Sequence, residues 1–180
     1  MRTGRRSASR HRSGIGDTVA VFGAGPIGIM LGLWARTAGA FRVILCDIDP
    51  TKVEFARKQG FDAVNSRETD PVEYIRTQTG GRGADACIEG AGVAQTWEQA
   101  LKAVKSFGTV VSMGNPAGDM TLTQKGYWEI LRKQLTLKGT WNSNYNDVRN
   151  EWRTALAAIA SHRIDVRPLI SVSYTHLRAH

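Results

Sequence analysis

Residues 17–39, "DTVAVFGAGPIGIMLGLWARTAG", decide the fold. A short β-branched run ends at Gly23, and an apolar segment opens with Pro26 and closes at Gly39. Proline in the first turn and glycine past the last are the usual punctuation of a helix. Between strand and helix, Gly23, Gly25 and Gly28 form a G-x-G-x-x-G turn. Such a motif is weak alone, but between a predicted strand and a predicted helix it is the arrangement that cradles a pyrophosphate. Gly23 allows the tight turn, Gly25 leaves no side chain in front of the phosphates, and Gly28 lets the helix close on the strand. Pro26 has no N–H, so the donors come from neighbours such as Ile27.

The same rhythm continues down the chain. Strands are predicted at 42–47, 62–65, 84–90, 108–114 and 135–141, and helices at 49–60, 71–81, 94–104, 125–134 and 147–162. Strands apolar on both faces, alternating with helices, imply a parallel sheet covered on both sides. Six of them predict an α/β fold with a doubly wound parallel six-stranded sheet, a Rossmann fold.

Asp47 closes the second strand, 19 residues after Gly28. A carboxylate at that place accepts hydrogen bonds from the adenosine ribose hydroxyls and repels a 2′-phosphate. No arginine follows it directly, so NAD is favoured over NADP as cofactor. The alternative reading of Asp47 is a capping or solvated acid. Ile48 is placed to pack on adenine. Lys52 reads equally well as a ribose contact or as a solvated helix lysine. Past the fourth and fifth strands, "EGAG" (89–92) and "MGNP" (113–116) add Gly90, Met113 and Gly114 at the same sheet edge, where ligands of open α/β sheets bind. Ordinary strand–helix turns carry glycine there too.

Composition narrows the class. The chain has 180 residues, 42% hydrophobic and 22% charged, with no apolar run approaching the ~20 residues of a membrane span. The net charge of +8 owes much to residues 1–14, which hold five arginines and no acid. That arm has no aromatic residue for base stacking. It is read as a disordered or non-native extension, residues 15–171 as the folded domain, and 172–180 as an irregular or non-native tail. A nucleic-acid partner is therefore not expected. Cys46 and Cys87, the two cysteines, sit in strand-like stretches and suit a reducing compartment, so a cytoplasmic location is expected. No tyrosine is followed by lysine four positions on, which removes the Tyr-x-x-x-Lys proton relay of short-chain dehydrogenases.

Together, "GDTVAVFGAGPIGIMLGLWARTAGA", "VILCDIDPTKVEFARKQGFDAVN", "GADACIEGAG", "GTVVSMGNP" and "LTLKGTWNSNY" resemble the coenzyme-binding half of the zinc-dependent medium-chain alcohol and polyol dehydrogenases. The likeness runs over roughly residues 16 to 171 and is greatest to the galactitol-1-phosphate, sorbitol and threonine branches. It implies an NAD-dependent oxidoreductase passing a hydride between a secondary alcohol, a polyol or sugar phosphate, and the cofactor. It places Asp47, Ile48 and Lys52 on the adenosine side, and Met113, Gly114 and the stretch around Trp141 and Asn142 near the nicotinamide. It also implies a catalytic zinc in a separate domain. No Cys-x-x-Cys or His-Glu pair occurs here, so the chain is expected to be a fragment lacking the catalytic domain, inactive alone. The family likeness further implies a homo-oligomer paired through the sheet edge at "LTLKGTW". The alternative reading is a stand-alone nucleotide-binding sensor.

Overall fold

The computed structural model describes residues 16–141, 143, 145–146 and 150–170. The basic arm at 1–14, the tail at 172–180 and Asn142 lie outside the described residues. The elements alternate without exception: β1 (Thr18–Phe22), α1 (Pro26–Thr37), β2 (Arg42–Asp47), α2 (Pro50–Lys58), β3 (Asp62–Asn65), α3 (Pro71–Gln78), β4 (Ala84–Glu89), α4 (Ala94–Ala103), β5 (Val104–Ser112), α5 (Gln124–Lys133), β6 (Thr136–Gly139) and α6 (Glu151–Ala160). The sheet order is β3-β2-β1-β4-β5-β6, and every pairing is parallel. The order reverses between β1 and β4. At such a switch point two neighbouring strand ends diverge and leave a crevice.

Side-chain alternation divides the core into two layers. Val19, Val21, Val43 and Leu45 face one way and pack with Ile29, Val53, Ala56 and Phe61. Ala20, Phe22, Ile44, Cys46 and Cys87 face the other way and pack with Val72, Ile75 and Leu101. This two-sided burial is the reason the central strands read as continuous apolar runs. Both cysteines are free and buried. Burial pushes the Cys46 and Cys87 thiols up, so neither supplies a thiolate near neutral pH.

Capping explains several helix starts. Asp49, Asp70, Thr123 and Asn150 each accept a backbone N–H of their own helix. On the β1–β2 side, Arg36 clamps α1 to the end of α2. Its guanidinium lies 3.8 Å over the Phe61 ring and donates to the carbonyls of Gln59 and Gly60. Gly32 makes room for that ring, since a Cβ there would stand 2.7 Å from Phe61 Cε1. Arg36→Ala is expected to cost about 1 kcal/mol. Thermal melting should show a fall of about 3 °C, and an unchanged midpoint would mean the clamp contributes nothing.

One strand differs from the sequence expectation. β5 starts at Val104, directly after α4, rather than at Gly108. Val104 pairs with Ala84, the register then shifts, and pairing resumes at Thr109 opposite Ala86. The chain bulges between these points, with Phe107 at φ 61°. Gly108 has no space for a Cβ, which would meet Val104 Cγ2 at 2.5 Å and two backbone oxygens. The glycine read as the strand's start is thus the point where the bulge rejoins the ladder. β6 is short, and all four of its residues are exposed. Among the described residues, no helix is long and apolar enough to cross a membrane.

Candidate functional site

The C-terminal ends of β1, β2, β4 and β5 converge on the switch-point crevice. At β1, Gly23 takes φ 112°, and its N–H donates to Cys46 O at 2.7 Å. A Cβ on Gly28 would stand 2.0 Å from Gly23 O. The helix therefore starts pressed against the strand it leaves. Gly25 is the N-cap of α1; no side chain caps this helix, and no acid lies in its first turn. Its own Cβ would meet nothing within 4 Å. The first N–H groups of a helix have no intrahelical acceptor and carry partial positive charge. Four other helices spend those donors on side-chain caps, whereas α1 has none and leaves open space beside its N-cap glycine. Such a donor set is of the kind that fits a pyrophosphate. Pro26 and Ile27 stand exposed there, Ile27 at 67%.

Asp47, at the end of β2, binds the glycine turn. Its Oδ2 accepts Ala24 N–H at 2.8 Å and its Oδ1 accepts Asp49 N–H at 2.9 Å. The carboxylate thus connects the glycine turn to the start of α2. About four lone-pair positions exist on a carboxylate, so acceptor capacity remains for ligand hydroxyls. Ile48 is 54% exposed beside it. Lys52 sits 4.0 Å from Asp49 Oδ2 in an exposed pair, with its ammonium accessible.

The second wall joins tightly to the first. Gly90 N–H donates to Phe22 O at 2.9 Å, and a Cβ on Gly23 would touch Gly90 C at 3.5 Å. Met113 and Gly114 donate their N–H groups to Glu89 O at 2.9 and 3.0 Å. Gly114 approaches the 90–92 loop so closely that a Cβ would lie 2.2 Å from Gly92 N. Trp141 lies one strand further out, past β6, with 76% of its surface exposed. The glycine motif singled out Gly90 and passed over Glu89, which is 1% exposed. The available signal was an acid directly after the apolar run Ala86–Ile88, since a buried carboxylate requires donors.

Among the described residues, no three His, Cys, Asp or Glu side chains come together as a metal site. A zinc ion does not fit the groups present.

Over residues 26–161 the chain matches the family of zinc-binding dehydrogenases. The chain belongs to that family. An alcohol dehydrogenase of Cupriavidus necator is 35% identical over 97% of this chain and 47% of its own length. A sorbitol dehydrogenase of Bacillus subtilis is 36% identical over 96% of this chain and 47% of its own. The crystal structure of galactitol-1-phosphate dehydrogenase from Escherichia coli superposes with a TM-score of 0.77 at 29% identity, covering 86% of this chain and 45% of that one. The chain thus spans about half the length of the curated relatives it matches. These relatives are alcohol and polyol oxidoreductases, as the sequence likeness implied.

Proposed function

We propose that residues 15–171 are the NAD-binding domain of an alcohol or polyol dehydrogenase. In the whole protein this domain would serve hydride transfer between a secondary alcohol, a polyol or sugar phosphate, and NAD. The observation that carries the reading is the uncapped start of α1 beside open space, tied by Asp47 to the end of β2. Gly23, Gly25, Ile27 and Gly28 would hold the pyrophosphate, with Pro26 fixing the helix entry. Asp47 would accept the adenosine ribose hydroxyls, with Ile48 against adenine and Lys52 at the ribose edge. Gly90, Met113, Gly114 and Trp141 would line the nicotinamide side. Bound there, NAD supplies the hydride acceptor, and this chain's residues bind and orient it. No step is assigned to the family's zinc in this chain, for want of ligands among the described residues.

Assembly and location belong to the same reading. The exposed outer edge of β6 leaves unpaired backbone groups that a second copy would satisfy. Two free buried thiols suit the cytoplasm.

Isothermal titration of the 180-residue chain tests the reading. Saturable NADH binding is expected, at least about tenfold tighter than NADPH given the charge at Asp47. No heat is expected with S-adenosylmethionine. Failure to bind NADH, or a preference for either competitor, would overturn the proposal.

A further inference from the structure

Glu89 ends β4 with a nearly fully buried carboxylate. Its Oε1 collects three donors, each at 2.8 Å: Ala91 N–H, Gly92 N–H and the Thr96 hydroxyl. Its backbone carbonyl collects two more, from Met113 and Gly114. Five hydrogen bonds from three separate segments therefore end on one residue. The loop 90–92, the first turn of α4 and the exit of β5 all take their positions from it.

The local sequence explains the need for this anchor. α4 has Val93 as its N-cap, which offers no side-chain acceptor, and its first turn has no acid. A carboxylate just upstream accepts the Thr96 hydroxyl of that first turn and brings the negative charge that a helix N-terminus favours. Gly92, at φ 73°, and Gly114 let the two loops close over the carboxylate. A Cβ on Gly114 would stand 2.9 Å from Glu89 Oε2, and one on Gly92 would stand 2.0 Å from Asn115 O. The β4 and β5 exits are thus locked together around Glu89, while a different carboxylate, Asp47, ties the glycine turn to the start of α2.

We propose that Glu89 is the positioning residue of the nicotinamide-side wall, setting the Gly90–Gly92 loop and the first turn of α4 through its buried carboxylate, beside the Met113–Gly114 segment that its backbone carbonyl holds. The inference rests on the crevice being a dinucleotide site. Glu89 does not act on the ligand directly. It acts through the backbone it holds, so its loss affects one half of the cofactor and spares the other.

Adenosine 5′-diphosphoribose carries the adenosine and pyrophosphate portion without nicotinamide, so it separates the two halves. The test titrates NADH and ADP-ribose into the full chain and into its Glu89→Ala and Glu89→Gln variants. Glu89→Ala removes every contact to Oε1 and is expected to weaken NADH roughly tenfold, with ADP-ribose within about twofold of wild type. Glu89→Gln keeps an acceptor oxygen and loses the charge. Its expected loss for NADH is roughly threefold, because charge-assisted hydrogen bonds are about twice as strong as neutral ones. A purely structural role would weaken both ligands equally, and either that result or unchanged NADH binding overturns the inference. Should the alanine variant not fold, the glutamine variant decides by the same comparison. A wild-type chain that binds ADP-ribose normally with no Glu89 effect refutes this inference alone. A wild-type chain that binds neither ligand refutes the proposed function and this inference with it.

Discussion

Gly28→Ala is expected to lose cofactor binding and roughly 10 °C of melting temperature together. The new Cβ would lie 2.0 Å from Gly23 O and 2.9 Å from Gly23 C. Both are backbone atoms, so no rotamer change relieves the contact. Gly23 cannot retreat easily, because its N–H is bonded to Cys46 O and its φ of 112° is one that side chains rarely adopt. The helix must therefore lift off the strand, opening the layer that Val21 and Ile29 share. Overpacking costs about 1–3 kcal/mol, and a contact with immovable backbone belongs at the upper end, which for a domain of this size lowers the melting point by roughly 10 °C. Gly25→Ala is the contrasting variant. Its Cβ meets nothing within 4 Å, and its φ of −67° suits alanine. Its melting point should stay within about 2 °C of wild type, while NADH weakens because a methyl now occupies the cradle. A Gly28→Ala protein that melts like wild type would refute the close-approach account. A Gly25→Ala protein that binds NADH like wild type would refute the cradle.

These two glycines also show how far the sequence could be read. The G-x-G-x-x-G spacing assigned one glycine to helix packing and one to ligand approach; the structure shows the first crowded against Gly23 and leaves the space beside the second open. β1 and β2 were legible because burial on both faces leaves their centres, Val19–Phe22 and Val43–Cys46, without a polar interruption. The start of β5 was not, because Lys105, Ser106 and Phe107 form a bulge with no turn signal ahead of Gly108. Exposure of Phe107 at 65% runs against the usual meaning of an aromatic residue beside a strand. Asp47 was legible as an acid at a fixed distance from a glycine motif. Its bond to Ala24 N–H was not, since the pairing depends on how β1 and β2 register. Glu89 was hidden for a related reason. Its five donors come from residues 91, 92, 96, 113 and 114, and only the folded sheet brings the last two alongside it.

Asp47→Ala should weaken NADH about 100-fold and erode the preference for NADH over NADPH. Two effects contribute, and they can be told apart. The carboxylate holds Ala24 N–H and Asp49 N–H at 2.8 and 2.9 Å, so its removal releases the glycine turn from the start of α2. Hydrogen bonds to a charged group contribute about 1.5–3 kcal/mol each, and about 2.7 kcal/mol of lost binding corresponds to the 100-fold change. Loosening of the turn alone would weaken NADH and NADPH in equal proportion. Loss of a ribose acceptor weakens NADH more, because NADPH replaces the 2′-hydroxyl with a phosphate that the carboxylate repels. The ratio of the two dissociation constants therefore reports the ribose contact, and it should move toward one. Asp47→Asn sharpens the comparison, since its amide group must face one of the two backbone N–H donors and cannot accept from it. That variant should loosen the turn almost as alanine does while still filling the space beside the ribose. Isothermal titration of both cofactors against the three proteins measures all of this. A constant NADH to NADPH ratio across them would leave Asp47 as a turn anchor only and remove the ribose from its role.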